Sequence, residues 1–410
     1  MTMRILHLCD SLNPAGLGGY EAYIHYLSAE LERRGHRSTV VTQSPHRDSP
    51  SVIKREHYEV RQLRGNLLEA RKWEFYKLPK EERAAAVTSM FAHGDLEEDV
   101  DLLREELEQL LTGLQPAVVH AHSTYVVFNR VLDQIRRRGG LDSTPLIATV
   151  HGLPKPLILP SGQATTDYEQ FSSVCPFDMI LGVSDAVTNT IRTLRGPCGR
   201  SGRTRTLYIG VDTRTFRPLE CKKEWHMAFM GRLEESKGVD LIPDLISRLR
   251  MKVPGFRAVI TGDGSYRNTL LSMLKRSGLI SCVSYLGVVP WDEVSRVVNQ
   301  SRVFVYPSRS EPFGLSIVEA MACGVPVVSS NIDGPREIVT SGFDGVLVPP
   351  GNAGDLADVI EVLLRDDTLR LRIGKNARAT VEKRFSLSEH ASSLLGVYHN
   401  AIGSMSQRDN

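Results

Sequence analysis

The residues best equipped for chemistry lie in five short constellations. The densest is Ser308-Arg309-Ser310-Glu311-Pro312-Phe313-Gly314-Leu315-Ser316-Ile317-Val318-Glu319, directly after an apolar run at Val303–Tyr306. Glu311 falls in the loop behind that run. Pro312-Phe313-Gly314 lead into a helix whose free N–H groups, near Gly314 and Leu315, point to the ligand side. Carboxylates accept hydrogen bonds without donating, so they suit the recognition of hydroxyls. Glu311 can serve a sugar in this way. Glu319, one to two turns inside the helix, can serve a ribose. Glu319 stands among Ile317, Val318, Ala320, Met321 and Ala322, which predicts burial. The alternative for it is a solvated or salt-bridged helix residue.

A second constellation follows the apolar run Trp225–Met230. Gly231-Arg232-Leu233-Glu234-Glu235-Ser236-Lys237-Gly238 puts two cations in one loop. A guanidinium grips phosphate with paired N–H groups and an ammonium adds a point charge, so Arg232 and Lys237 together match a diphosphate. Taken alone, an exposed loop with ordinary basic residues would look the same. Gly262-Asp263-Gly264 follows the run Ala258–Thr261, and Asp263 there either shapes a turn or faces a ligand. Near the start, Gly16-Leu17-Gly18-Gly19 lies between a strand pattern and a helix pattern. Glycines at that place let the backbone approach a ligand beside a helix N-terminus. The spacing is not the dinucleotide fingerprint, and a tight turn would serve as well. His120-Ala121-His122 and Thr149-Val150-His151-Gly152 complete the set, each at the end of an apolar run. No Asp or Glu stands close enough in sequence to complete a metal site, so no metal is expected. The histidines are read as substrate-facing or proton-handling groups, with structural roles as the alternative.

These loops need elements to hold them. Apolar runs at Arg4–Cys9, Ser38–Val41, Ala117–His120, Leu146–Val150 and Met179–Val183 alternate with amphipathic stretches such as Glu21–Arg34 and Asp185–Leu194. Asp185 is predicted to cap the latter helix. A second series runs through Trp225–Met230, Ala258–Thr261, Val303–Tyr306 and Val325–Ser329. Such alternation predicts an α/β fold of parallel sheets covered by helices, with ligands at the carboxyl ends of the strands. The stretch 195–205, rich in Arg, Gly, Ser and Thr, reads as a linker or surface loop between the two series. Helical stretches follow the second, the last at Leu387–Ile402, and the end from Gly403 reads as frayed. The segment Ser44–Gly113 breaks the alternation. It is charged and mostly helical in composition, with Trp73, Phe75 and Tyr76 inside it. It is either a solvated insertion or the wall of a substrate site.

Composition narrows the classes. A chain of 410 residues suits two domains. Lys and Arg number 50 against 48 Asp and Glu, a net charge of +2, which argues against nucleic-acid binding and against a polybasic membrane anchor. The six cysteines include no CxxC pair and read as free thiols in a reducing compartment. No apolar stretch approaches the roughly 20 residues of a membrane span, and the N-terminus lacks the apolar core of a signal peptide. A cytoplasmic protein is expected.

Taken in order, the motifs resemble those of the family 4 glycosyltransferases, which have the GT-B fold. They are GGxE at Gly18-Gly19-Tyr20-Glu21, HxH at His120-Ala121-His122, TxHG ending in His151-Gly152, GRLxxxKG from Gly231, GDG from Gly262, and ExxxxxxxE from Glu311 to Glu319. Gly345-Val346-Leu347-Val348-Pro349-Pro350 also fits, and the match is densest over 229–351. The resemblance implies two Rossmann-like domains with parallel sheets facing across a cleft. Residues 1–205 would bind the acceptor and 206–386 the nucleotide sugar, and a helix within 387–410 would cross back to the first domain. It implies Arg232 and Lys237 on the diphosphate, Glu319 on the ribose and Glu311 on the transferred sugar. Gly18 and Gly19 would approach the donor phosphates, Asp263, Gly314 and Leu315 would join the donor site, and His122 and His151 would line the reaction centre. The family retains the anomeric configuration, usually with no metal or other cofactor, by a front-face route in which the leaving phosphate helps deprotonate the acceptor.

There are two departures. Ile209 stands where the family often has Asn, and Ser44–Gly113 matches no acceptor pattern. A nucleotide sugar and a hydroxyl acceptor are the expected partners. A small polar acceptor is favoured, a lipid met at a membrane surface stays open, and so does the choice of monomer or homodimer. Two other functions stand beside a transferase. One is a GT-B-like nucleotide-sugar epimerase, which needs no acceptor. The other is a non-catalytic nucleotide-sugar binding module, disfavoured because Arg232, Lys237, Glu311 and Glu319 are all present.

Overall fold

The structure, a computed structural model, describes residues 2–9, 19–44, 51–64, 95–122, 126–154, 156–158, 164–194 and 204–407. The chain forms two compact units. The first comprises Met1–Leu12, Leu27–Tyr208 and Ala391–Asn410, the second Asn13–Tyr26 and Ile209–His390.

The strands of the first unit are β1 (Arg4–Leu8), β2 (Arg37–Gln43), β3 (Ser51–Lys54), β4 (Glu59–Leu63), β5 (Val118–Ala121), β6 (Leu146–Val150), β7 (Pro156–Ile158), β8 (Ala164–Thr166), β9 (Met179–Gly182) and β10 (Thr204–Thr206). Among the described residues they form a sheet in the order β10-β9-β6-β5-β1-β2-β4-β3 and a separate antiparallel pair, β7-β8. Every neighbour in the larger sheet is parallel except β3 and β4. β5 and β6 are buried throughout, as strands covered on both faces must be. The chain winds outward from β1 through β2, then restarts on the other side of β1 with β5. β1 and β5 therefore flank a topological switch point, where open parallel sheets bind ligands.

The second unit repeats the plan with β11 (Trp225–Met230), β12 (Ala258–Thr261), β13 (Val283–Gly287), β14 (Ser301–Tyr306), β15 (Val327–Ser330) and β16 (Val346–Val348). The order is β13-β12-β11-β14-β15-β16, all parallel. Its switch point falls between β11 and β14. Met227, Phe229, Val303 and Val305 point into one apolar core with Leu245, Ile246 and Ile360.

The helices that matter below are α1 (Gly19–Arg33), α2 (Asp95–Leu114), α3 (Val126–Arg137), α4 (Asp185–Arg192), α5 (Leu315–Ala322) and α6 (Leu387–Ser406).

Several expectations need correction. Ser184, not Asp185, caps α4: its hydroxyl accepts from the Val187 N–H at 3.2 Å, while Asp185 is the first helical residue. A short hydroxyl reaches that amide as readily as a carboxylate. Within Ser44–Gly113, 51–63 form the strand pair β3–β4, and only α2 is helical among the described residues. Lys54 ends β3, the outermost strand, where a charge discourages unwanted pairing. Trp73, Phe75 and Tyr76 lie outside the described residues. α6 runs on to Ser406, through the stretch read as frayed. Cys9, Cys221, Cys282 and Cys323 are free thiols, but Cys175 is disulfide-bonded. Among the described residues no helix is long and apolar enough to cross a membrane.

Backbone packing holds the second unit's loops together. Gly238 has φ +68°, and a Cβ there would overlap the Pro307 carbonyl. Gly262 has φ +118°, and a Cβ there would overlap the Gly231 carbonyl. Gly278 shares the positive φ (+64°) but faces open space. Gly278→Ala should therefore cost only about 1 kcal/mol of backbone strain. Gly238→Ala should cost about 3 kcal/mol or more, because the neighbouring loop must also move. Urea midpoints of the two variants measure the difference, and equal losses would contradict the close-packed account.

Candidate active site

In the second unit the loops that leave β11 and β14 meet at the switch point. Lys237 Nζ lies 2.6 Å from a Glu311 carboxylate oxygen, and both side chains are about nine-tenths buried. The Tyr306 hydroxyl, at the carboxyl end of β14, donates to the same oxygen. The Phe313 N–H donates to the other at 3.3 Å. Burial, and then the Glu311 charge, push the Tyr306 phenol well above its ordinary range, so it stays a donor. The Lys237 ammonium also lies 5.9 Å from the Tyr306 ring centre.

The loops are stitched from outside as well. The Arg309 N–H and the Ser308 hydroxyl both donate to the Ser236 carbonyl, at 2.8 and 3.0 Å. The Arg309 guanidinium pairs with Asp240, at 2.7 Å through Nη2. The Leu233 N–H donates to the Asp263 carbonyl at 2.9 Å, and the Tyr285 hydroxyl to the Gly262 carbonyl at 2.9 Å. The ends of β11, β12 and β14 thus share one hydrogen-bonded framework.

Gly314, at φ +115°, turns the chain into α5. Glu319 lies within that helix and is buried. Removal from water pushes its carboxyl up to about 8, so at neutral pH it is mostly a protonated acid. Gly19 starts α1 close to Leu315: a Cβ on Gly19 would sit 3.3 Å from the leucine side chain. Gly18 lies outside the described residues. Arg232 is half-exposed, its guanidinium 3.2 Å from Glu234. Asp263 is exposed; its carboxylate accepts from the Gly264 N–H at 2.8 Å and lies 3.5 Å from Arg267. Lys237, Glu311, Gly314 and Leu315 are thus gathered at one place, while Arg232 and Asp263 stand at the exposed loop surface. Ile209 is buried.

In the first unit the histidines gather at the other switch point. His7 and His120 are register partners on β1 and β5. Period-two alternation puts His122 on the same sheet face, and its backbone N–H is pinned to the Leu8 carbonyl at 2.9 Å. His7 Nδ1 is 2.9 Å from His122 Nε2, and His122 Nδ1 is 3.4 Å from His151 Nε2. His120 is held by the Thr149 hydroxyl at 2.7 Å and the Tyr398 hydroxyl of α6 at 2.6 Å. His7, His120 and His122 offer ring nitrogens within 4.8 Å of one another, near enough to suggest a metal. Their nitrogens are engaged with one another or with hydroxyls, and the His120 and His122 ring centres lie 3.9 Å apart at a tilt of 34°. Burial pushes His7 down to about 3, so its ring is neutral.

The motif reading quotes Ser308, Arg309 and the strand end Tyr306 without giving them a role, and it does not single out Asp240 or His7. A polar ring inside the apolar run RILHL and an aromatic hydroxyl at a strand's carboxyl end were the available signals.

Two Rossmann-type units, each with its motif loops at a sheet switch point, define the GT-B class of glycosyltransferases. The family model described as Glycosyltransferase Family 4 matches residues 17–215, and that described as Glycosyl transferases group 1 matches 212–380. The chain is 26% identical over 406 residues to a glycogen synthase of Mycobacterium tuberculosis, covering 97% of this chain and 94% of that one. It is 27% identical over 409 residues to a D-inositol 3-phosphate glycosyltransferase of Pseudarthrobacter chlorophenolicus, covering 94% and 91%. Among solved structures it is similar to the sucrose-phosphate synthase of Thermosynechococcus elongatus, with a TM-score of 0.78 at 20% identity over 98% of this chain and 100% of that one. The chain belongs to glycosyltransferase family 4.

The Glu319 carboxyl yields a test. Its folded value of about 8 exceeds the ordinary 4.5. The stability tied to its proton is therefore fully present below pH 4.5 and is lost as pH rises through about 8. Relative to the wild type, Glu319→Gln should gain stability as pH climbs from 5 to 8, by up to about 1.4 kcal/mol per unit. Urea unfolding of both proteins across that range checks it, and a constant difference would contradict the buried acid.

Proposed function

We propose that this glycosyltransferase moves a sugar, with retention at the anomeric carbon, from a nucleotide-diphosphate sugar to a hydroxyl of a small polar acceptor. The buried Lys237–Glu311–Tyr306 cluster at the switch point of the second sheet carries the reading. Lys237 has three N–H donors, and Glu311 takes one. The others suit the oxygens of a diphosphate, where charge grows as the sugar departs. Arg232 adds a half-exposed guanidinium at the loop surface. A fixed cation in a site shielded from water stabilises such a leaving group without reorganising. These charges and the N–H groups at the start of α5 do the work a metal would otherwise do, so activity should not depend on one.

Glu311, an acceptor oriented by Tyr306 and Lys237, suits the hydroxyls of the transferred sugar. Glu319 suits the ribose diol. Two donated hydrogen bonds favour its ionised form, so donor binding should release a proton near neutral pH. Gly18, Gly19, Asp263, Gly314 and Leu315 would complete the donor contacts. His122 and His151 of the first unit would serve the acceptor hydroxyl, and the leaving phosphate would take its proton on the sugar's front face. The name D-inositol 3-phosphate glycosyltransferase supports a compact polyol as acceptor. The glycogen synthase match makes a glucan chain end the competitor in any screen.

The test is a thermal shift with uridine, guanosine, adenosine and thymidine diphosphates and their sugars, in chelator. One base should raise the midpoint by several degrees, since a ligand of the native state stabilises it. Lys237→Ala should abolish that shift, and Glu311→Gln should lower kcat/KM for transfer by about 100-fold or more. An α-linked donor should give an α-linked product by NMR. No shift with any nucleotide, or full activity in both variants, would refute the site.

A further inference from the structure

Four side chains line up diagonally across neighbouring strands of the first sheet. Ser38 on β2, His7 on β1, His122 just past β5 and His151 just past β6 all stand on one face, because each is offset by two residues from its neighbour's register partner. Ser38 Oγ is 3.4 Å from His7 Nε2, His7 Nδ1 is 2.9 Å from His122 Nε2, and His122 Nδ1 is 3.4 Å from His151 Nε2. His7, His122 and Ser38 are buried, and His151 is half-exposed at the edge where strands of such sheets meet ligands.

A neutral imidazole carries one N–H, so each nitrogen–nitrogen contact in the row fixes the next. If Ser38 donates to His7, then His7 Nδ1 donates to His122 and His122 Nδ1 donates to His151 Nε2. His151 must then hold its own proton on Nδ1. If His151 Nε2 donates instead, every bond reverses and Ser38 accepts. The row therefore has two self-consistent states, and the environment of its buried end selects between them. Burial keeps the His7 ring neutral, as this alternation requires.

We propose that His7 is a positioning residue: through His122 it sets which nitrogen of His151 carries the proton. The consequence for transfer rests on the reading that His151 serves the acceptor hydroxyl. A donor or an acceptor nitrogen presented there would orient that hydroxyl differently, and a residue two strands away would decide which.

The tautomer can be read directly by long-range 1H–15N NMR on the histidine-labelled full chain, with the His151 signals assigned by their loss in His151→Gln. The wild type should show one dominant His151 tautomer. His7→Phe, which keeps the ring volume and removes both nitrogens, should shift or mix it. His7→Asn, whose amide can stand where Nδ1 stood, should restore it. Ser38→Ala removes only the far hydroxyl and should also shift the ratio, which keeps the test open if His7→Phe does not fold. In the transfer assay His7→Phe should lower kcat about tenfold while KM changes less than twofold, and His7→Asn should recover most of it. An unchanged His151 tautomer in a folded His7→Phe or in Ser38→Ala, or a His7→Asn no better than His7→Phe, would overturn the proposal. A shifted tautomer with unchanged kcat would keep the coupling and remove His151 from the reaction.

Discussion

The second unit is organised around one ion pair kept almost dry. Lys237 and Glu311 are separated by more than seventy positions in sequence yet lie 2.6 Å apart with little access to water. Removing two charges from water costs several kcal/mol per ion, and their attraction offsets this only with good geometry and with the remaining lone pairs satisfied. The structure meets both conditions. Tyr306 and the Phe313 N–H hold the Glu311 carboxylate from two further directions. Gly238 lets the lysine loop lie directly on the Pro307 carbonyl. Arg309 and Ser308 fasten the two loops from outside. Each of these features has little purpose without the pair, and the pair would not be tolerated without them.

The two units solve the same problem with different chemistry. Both bring loops to a switch point, where the connections from adjacent parallel strands leave in opposite directions and a ligand can enter between them. The second unit fills that place with charge, the first with a row of imidazoles. Charge suits a partner that is itself charged, such as a diphosphate. Neutral imidazoles suit hydroxyls, because they donate and accept without adding net charge, and burial holds His7 in that form. Sheet pleating does the positioning: alternate residues of β1, β5 and β6 share one face, so a histidine in each yields a continuous row.

How much of this was legible in sequence follows the range of the interactions. Strand–helix alternation is local, so the two sheets and most elements could be read directly. The motif loops were legible because glycine, cations and acids cluster within a few residues of strand ends. Pairings were not. Nothing local in Arg309 points to Asp240, nothing in Cys175 signals a disulfide, and His7 looked like one polar residue in an apolar strand. The edge pair β3–β4 was misread for a related reason: its charges are set by its place at the border of a sheet, which the segment's own composition does not record. Ser184 displaced Asp185 as the cap of α4 because either side chain could reach the amide, and only backbone geometry decides between adjacent candidates.

Glu319 shows how the fold turns a helix residue into a functional group. Its position in α5 is fixed by the apolar residues on either side, which bury that helix against the sheet. The same burial that anchors the helix raises the carboxyl to about 8. A carboxyl in an apolar core is poorly justified by stability alone, since an uncharged residue of similar size would spare the chain its cost at neutral pH. On the proposed function, its presence is explained by a partner that brings hydrogen-bond donors and draws the proton off. A vicinal diol is such a partner, and the start of the helix, opened by Gly314 next to the Lys237–Glu311 pair, is where the rest of a nucleotide's charge would be met. On the proposed function the acid and the ion pair would act as the two ends of one recognition surface, one reading hydroxyls and the other phosphate.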